Sequence, residues 1–449
     1  MAVYQSPGAG RVLIALSDGP LVAEPTWTRY DDLEDCRCFG FDWQRGRQSE
    51  FDVSEAGSGR VFFHDRSGTL DDDDLVGLQI MLQLYNPVAD EWQPCFRGHI
   101  EDISRDPSPG APELTNVEVE CVGIFAYLAG VKMVVGHFGA TLPSGMTGVV
   151  FYEDGPAATG TNDPTDGGRA ELLLDDAGIS TDMYVIFSLN IDVNETLYEP
   201  DDDILSALRD TFDADFPGIA NVYEDRFGRV AGHGRLSRFT PDTIAAGAAT
   251  GAWAFTRWAA ATREDVTSGR AQIRDFSYNR PRSRLVNTYV AYPRADEAGV
   301  TFDRANISSL VRTDSASITA NGHHGKEAPD LIIKQHKTNG NTGAEECGLF
   351  GDFYIANYAV VRKNIQRVSI TSMRPSDSRA TDTWALICGV DISDVIALYV
   401  DEAGLDGVDF FVEGISGSCR VSRPGFDFVT VTPNLTPAAY YSTDVFTGS

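Results

Sequence analysis

The stretch that decides the fold is 41-FDWQRGRQSEFDVSEAGSGRVFFHDRSGTLDDDD-74. It reads as one tight antiparallel unit. Trp43 stands at an aromatic strand end, and Arg45-Gly46-Arg47 reads as a charged crossing loop. Ala56-Gly57-Ser58-Gly59 reads as a turn, after which Arg60 to His64 continues as a strand through Val61, Phe62 and Phe63. Asp65-Arg66-Ser67-Gly68 predicts an Asx-type turn, with glycine at the positive φ that other residues resist. Asp71 to Asp74 then leave the fold for solvent.

Around this unit, the totals set the class. A chain of 449 residues exceeds one hydrophobic core and implies roughly two to four domains. Its 43 glycines and many short Val/Ile/Phe/Tyr runs favour β structure with tight turns. No apolar run approaches the roughly 18 to 20 residues that span a bilayer. The N-terminal residues lack the basic region and cleavage site of a signal peptide, so folding in the cytoplasm is the expectation. The seven cysteines are odd in number and scattered. Cys121, Cys388 and Cys419 sit among apolar neighbours as buried thiols, and Cys36 and Cys38 have no second pair at zinc spacing. A net charge of −30 argues against wrapping nucleic acid through phosphate contacts. It describes either a well-hydrated surface or an acidic channel along which DNA slides without sticking.

Along the chain, Val12 to Leu16 begins an all-β region, and Leu75 to Tyr85 is a long strand. A strand through Phe96, Arg97-Gly98 and His99-Ile100 follows, then Asn116 to Gly123, which alternates Val117, Val119 and Cys121 on one face. Ile124 to Leu128 reads as a short apolar turn. Residues 131–165 are rich in Gly, Ser, Thr and Pro and read as loops. Gly168 to Ile179 is a short helix with Gly178 as its C-cap. Asp201 to Phe212 is a clearer one, with three aspartates at its N-terminus and an apolar stripe of Ile204, Leu205, Leu208 and Phe212. Residues 222–231 predict a hairpin that pairs Val222-Tyr223 with Arg229-Val230 across Asp225 to Gly228. Ala271 to Tyr292 reads as a strand, in which Asn287 either satisfies a strand-edge backbone group or lies on the surface. Residues 296–350 read as loop-rich, 352–364 as a helix, Arg367 to Thr371 as a strand and Trp384 to Asp391 as another. Phe410 to Ser416 and Phe426 to Thr432 close the chain as strands.

The order of these segments resembles the minor tail proteins, or tail-tip hub proteins, of long-tailed phages that infect actinobacteria. The likeness rests on W-x-R-G-R-Q at Trp43, the D-R-x-G turn at Asp65, and the strands around Phe96 and Val117. It continues in the helix and hairpin at 201–231 and the segment from Tyr278 through Arg284 to Val290. It ends with Val390-Asp391-Ile392-Ser393-Asp394, where the family carries glycine at the position of Ser393, and with FFVEGIS and Leu435-Thr436-Pro437. The resemblance implies a mainly β chain with a small α+β insertion, built as two β-barrel-like tube domains plus lateral subdomains. Residues 1–130 would form the first tube domain and 131–270 an inserted lateral domain. Residues 271–449 would form the second tube domain, with its loop-rich insertion at 296–350.

No enzyme signature occurs. G-x-S-x-G, H-E-x-x-H, G-x-G-x-x-G and the P-loop are all missing, and the aspartate tract lacks calcium-loop spacing. Glu50 and Asp52 can be drawn as a glycosidase pair, but carboxylates are too common here for that to inform. His323-His324 and His336 read as solvated rather than metal-bound. Trp253, Phe255 and Trp258 form either a core corner or a contact surface. The expectation is a structural protein with no catalytic, cofactor or metal residues. As a homotrimer it would cap a tail tube, adapting six-fold to three-fold symmetry. Its partners would be a distal tail protein, a tape-measure protein and other minor tail proteins, and DNA would pass through the lumen. A six-fold distal tail protein and a tail-associated cell-wall hydrolase are the alternatives, with a carbohydrate- or receptor-binding module behind them.

Overall fold

The computed structural model describes residues 10–438 except 17–20, 32–35, 66, 67, 69, 71–74, 107–115, 134–149, 153, 154, 161–167, 190, 200, 236–255, 263, 266, 295–309, 338, 339, 424 and 425. The fold is mainly β and includes a closed six-stranded barrel. The first barrel-like unit comprises β1 (Gly10–Ile14), β2 (Thr28–Arg29), β3 (Cys36–Gly46), β4 (Glu55–Asp65), β5 (Gln79–Asn86), β6 (Glu91–Asp106) and β7 (Asn116–Val122). Its strands run in the order β2-β1-β5-β6-β7-β4-β3, all neighbours antiparallel. Asp31 ties the two ends of this curved sheet. Its carboxylate accepts from Val12 N at 3.1 Å and its carbonyl from Cys38 N at 3.3 Å.

Helix α1 (Ile124–Gly130) leads out of the first barrel into a lateral unit. That unit contains β8 (Val150–Tyr152), β9 (Gly155–Pro156), α2 (Arg169–Asp176), β10 (Tyr184–Ile186), β11 (Ile191–Val193) and β12 (Thr196–Tyr198). Helix α3 (Ile204–Asp215) and the hairpin of β13 (Asn221–Glu224) and β14 (Val230–His233) follow. The chain returns to the large sheet as β15 (Arg257–Ala261) and β16 (Ala271–Asn279). It leaves again for β17 (Thr288–Pro293), β18 (Arg312–Thr313), α4 (Ser315–Asn321), β19 (Gly325–Leu331), β20 (Ile333–His336) and α5 (Gly343–Tyr358). The last elements are β21 (Asn364–Thr371), α6 (Ala380–Gly389), β22 (Val395–Val400), β23 (Leu405–Arg423) and β24 (Phe426–Pro437).

The closed barrel follows the ring β23-β22-β15-β16-β21-β24, completed by the β24–β23 pairing. Strand β23 is the seam between the barrels. Its first part pairs with β22, and Gly414–Arg420 pair with Gly40–Gly46 of β3. One apolar cluster runs through both barrels, from Val12, Phe41 and Phe96 to Val368, Ile396 and Val431. A second cluster gathers α1, α2, α3 and the hairpin with Tyr289, Ile333, Phe350 and Tyr354 from the later excursion. The lateral core is therefore assembled from two segments distant in sequence.

Several local expectations are corrected. Arg45 lies within β3 rather than in a crossing loop, and residues 56–59 are strand rather than turn. Gly57 and Gly59 serve close packing: a Cβ on Gly57 would collide with Glu224 Oε2, and one on Gly59 would lie 3.2 Å from the Phe96 ring. The reversal falls after Gly46 (φ 83°), in the 47–54 loop. The strand predicted from Leu75 begins at Gln79, and Ile124–Leu128 is helix. The hairpin register differs too, with Val222 opposite Gly232 and Tyr223 opposite Ala231. Ala271–Tyr292 divides into β16 and β17 in different sheets. The described part of 296–350 holds four regular elements and the start of α5, which ends at Tyr358 and not 364. Trp384–Asp391 is not a strand. It is α6, an apolar run buried through Trp384, Leu386, Ile387 and Cys388, and such runs fit strand and buried helix alike. The Asx hydrogen bond forms as expected, Gly68 N donating to Asp65 Oδ1 at 3.0 Å, and Gly178, expected as the C-cap of α2, instead follows the cap residue Ala177 with φ 74°. The aspartate tract 71–74 lies outside the described residues.

Candidate functional site: a buried ionic junction

The two arginines of the opening motif bind the three units together. Strand β3 carries Arg45 into the interior, its side chain 2% exposed. Its guanidinium donates to Cys95 O of the first barrel and Glu224 O of the lateral hairpin, each at 3.0 Å, and to Asp391 Oδ1 of the second barrel at 2.7 Å. Arg47, just past Gly46, donates to Glu413 of β23 at 2.9 Å and to the Gly218 carbonyl of the lateral unit at 3.0 Å. Each arginine thus spends its planar array of donors on acceptors from separate units.

The carboxylates opposite them are multiply bonded as well. Asp391 also accepts from the backbone of Arg226 at 3.2 Å and of Ile392 at 2.9 Å. Arg226 caps α6, donating to the carbonyls of Cys388 and Gly389 at 3.0 and 3.1 Å. Glu224 reaches back from the hairpin to accept from Gly57 N at 2.7 Å and from Phe125 N, in the first turn of α1, at 2.5 Å. Burial pushes its carboxyl up to about 7, against the pull of those donors and Arg45. Burial likewise raises Asp394 to about 7, although Trp258 Nε1 and the backbone of Asp391 and Thr256 all donate to it. Between Asp391 and Asp394, Ser393 holds a positive φ of 73°, the geometry that glycine adopts freely, and its hydroxyl meets the ring of His233.

Of Glu50 and Asp52, Glu50 is fully buried, accepting from Thr436 at 2.7 Å, Tyr358 at 2.9 Å and Arg284. Asp52 instead takes the Ser49 hydroxyl in the 47–54 loop. His324 lies beside Arg282, while His336 is buried near Arg235 and Glu346, and burial lowers its pKa. Asn287 is fully buried and satisfies backbone: it donates to Gly322 O and accepts from His324 N, both at 2.8 Å. Trp258 is half-buried in β15 and packs against the barrel core beside Gly389, whereas Trp253 and Phe255 lie outside the described residues. All seven cysteines are buried free thiols. Sequence reading missed Glu224 and Asp394 as junction residues. The only signal was that each sits close to a second acidic residue within an apolar segment.

The arrangement ties the two barrels and the lateral unit together through buried ion pairs and hydrogen bonds. Among solved structures, the chain is similar to the tail protein from Neisseria meningitidis MC58, with a TM-score of 0.54 and 11% identity over 96% of this chain and 98% of that one. It is also similar to the 43 kDa tail protein of prophage MuSo2 from Shewanella oneidensis, with a TM-score of 0.50 and 10% identity over 96% and 99%. No protein-family model matches the chain, and no curated protein matches it in sequence. The shared property is the fold, across nearly the full length of each molecule.

Proposed function

We propose that this protein is a structural component of a phage tail, the hub at its tip. The observation that carries this reading is the pair of barrel-like units fused through β23, in a fold shared end to end with two tail proteins. Three copies would place six barrels around one axis. Such a ring stacks on a six-fold tube on one side and presents three-fold symmetry on the other. The junction suits this role, because a ring under load needs its barrels fixed in relative orientation. On this reading the protein is virion-associated and carries no catalysis. It meets a distal tail protein, a tape-measure protein and other minor tail proteins, and the negative charge keeps DNA from adhering in the lumen. Light scattering of the purified chain over a range of concentrations tests the reading. A trimer of constant mass is the expected result; a stable hexamer or persistent monomer contradicts it.

A further inference from the structure

A cleft of about 240 Å³ opens between the 47–54 loop of the first barrel and α3, β13 and β19 of the lateral unit. Its lining includes the donors Lys326, Arg209 and Asn221, the already paired Arg47, the carboxylates Asp213, Asp52 and Glu327, and the ring of Phe51. Two of these carboxylates are already engaged: Asp52 takes the Ser49 hydroxyl at 2.8 Å and Glu327 the Tyr292 hydroxyl at 2.9 Å. The donors are not saturated. Asn221 is 3% exposed, and its Oδ1 accepts from Ser54 while its Nδ2 is buried without a partner. Arg209 gives one nitrogen to the Ser54 carbonyl, and its Nε is buried without a partner. The Lys326 ammonium lies over the Phe51 and Tyr354 rings, 3.9 and 5.1 Å from their centroids, and burial lowers its pKa to about 8. Buried donors without acceptors destabilise a fold. Their concentration around one cleft marks a place for an acceptor-rich group.

We propose that this cleft binds a carboxylate side chain presented by an acidic segment of another polypeptide. A carboxylate brings two acceptor oxygens to the free donors with a single negative charge, whereas a phosphate dianion would set twice that charge against Asp213, Asp52 and Glu327. The volume suits a side chain better than a drug-sized molecule, whose pockets run to roughly 300–1,000 Å³. The site does not depend on the ring, and its failure would leave the ring reading intact.

The test follows acetylation of Lys326 in the full-length protein by mass spectrometry at pH 8. The competitors are a capped peptide of sequence Leu-Asp-Asp-Asp-Asp-Leu and sodium malonate. The peptide is expected to protect Lys326 selectively among the lysines. Arg209→Met or Asn221→Leu, each checked for folding by circular dichroism, should raise the protecting concentration about tenfold. Protection unchanged in both variants, or none in the wild type, overturns the site. Equal protection by malonate at equal concentration overturns the polypeptide as its ligand.

Discussion

Ser393 shows how much one backbone angle carries. It sits at φ 73° between two aspartates that bind different units, and its hydroxyl partners His233 inside the junction. Replacing it by alanine keeps the same unfavourable angle and removes the hydroxyl, so it costs the hydrogen bond alone, about 1 kcal/mol. Glycine also removes the hydroxyl but adopts the angle freely, so the Gly variant should be the more stable by about 1 kcal/mol. Urea denaturation of Ser393→Ala and Ser393→Gly measures the difference, and an alanine variant at least as stable as the glycine one would contradict the expectation. Gly57 and Gly123 make the complementary point. A Cβ on either would collide with a Glu224 oxygen, so the buried carboxylate fits only because both positions are bare.

At the scale of elements, β23 explains why the two barrels are one object. It has more residues than any other described strand, and it pairs with β22, β24 and β3. Its pairing with β3 brings Gly417 opposite Trp43, where a Cβ would overlap the indole. Gly417→Val should therefore push Trp43 out of its site and separate β3 from β23. Overpacking of this kind costs about 1–3 kcal/mol. The expected readout is a lower urea midpoint together with a red-shifted tryptophan emission. Unchanged emission would mean that the seam tolerates the extra carbons without moving Trp43.

For the whole molecule, the buried junction sets a pH dependence. Burial raises both Glu224 and Asp394 to about 7, from ordinary values of 4.5 and 3.8. Between those ordinary values and 7 the folded chain binds more protons than the unfolded one, so these groups weaken stability as pH rises through that window. Each tenfold difference in proton affinity between the two states is worth roughly 1.4 kcal/mol. The net charge of −30 acts in the same direction, since self-repulsion grows as carboxyls ionise. The urea midpoint should be lower at pH 8 than at pH 5.5. The reverse order would mean that other ionisable groups govern stability.

Much of the β framework was legible in the residues because it is local physics. Alternation marked the strands around Phe62, Val119 and Val431, and the Asx turn at Asp65 and the helix beginning near Asp203 follow from short-range hydrogen bonding. The motif arginines could be singled out by sequence, but their partners could not. Asp391 lies 346 residues from Arg45, and Glu413 lies 366 from Arg47. Glycines at 57 and 59 read as a turn because flexibility is what glycine offers locally, whereas their purpose is room for Glu224 and Phe96. The run at 384–391 is equally apolar as strand or helix, and only burial on several sides made it α6. By itself, then, the sequence determined a mainly β chain, its local turns and its acidity, since these depend on near neighbours and composition. Tertiary structure alone decided the closed barrel, the shared strand and the ionic junction, because each depends on contacts between residues far apart in the chain.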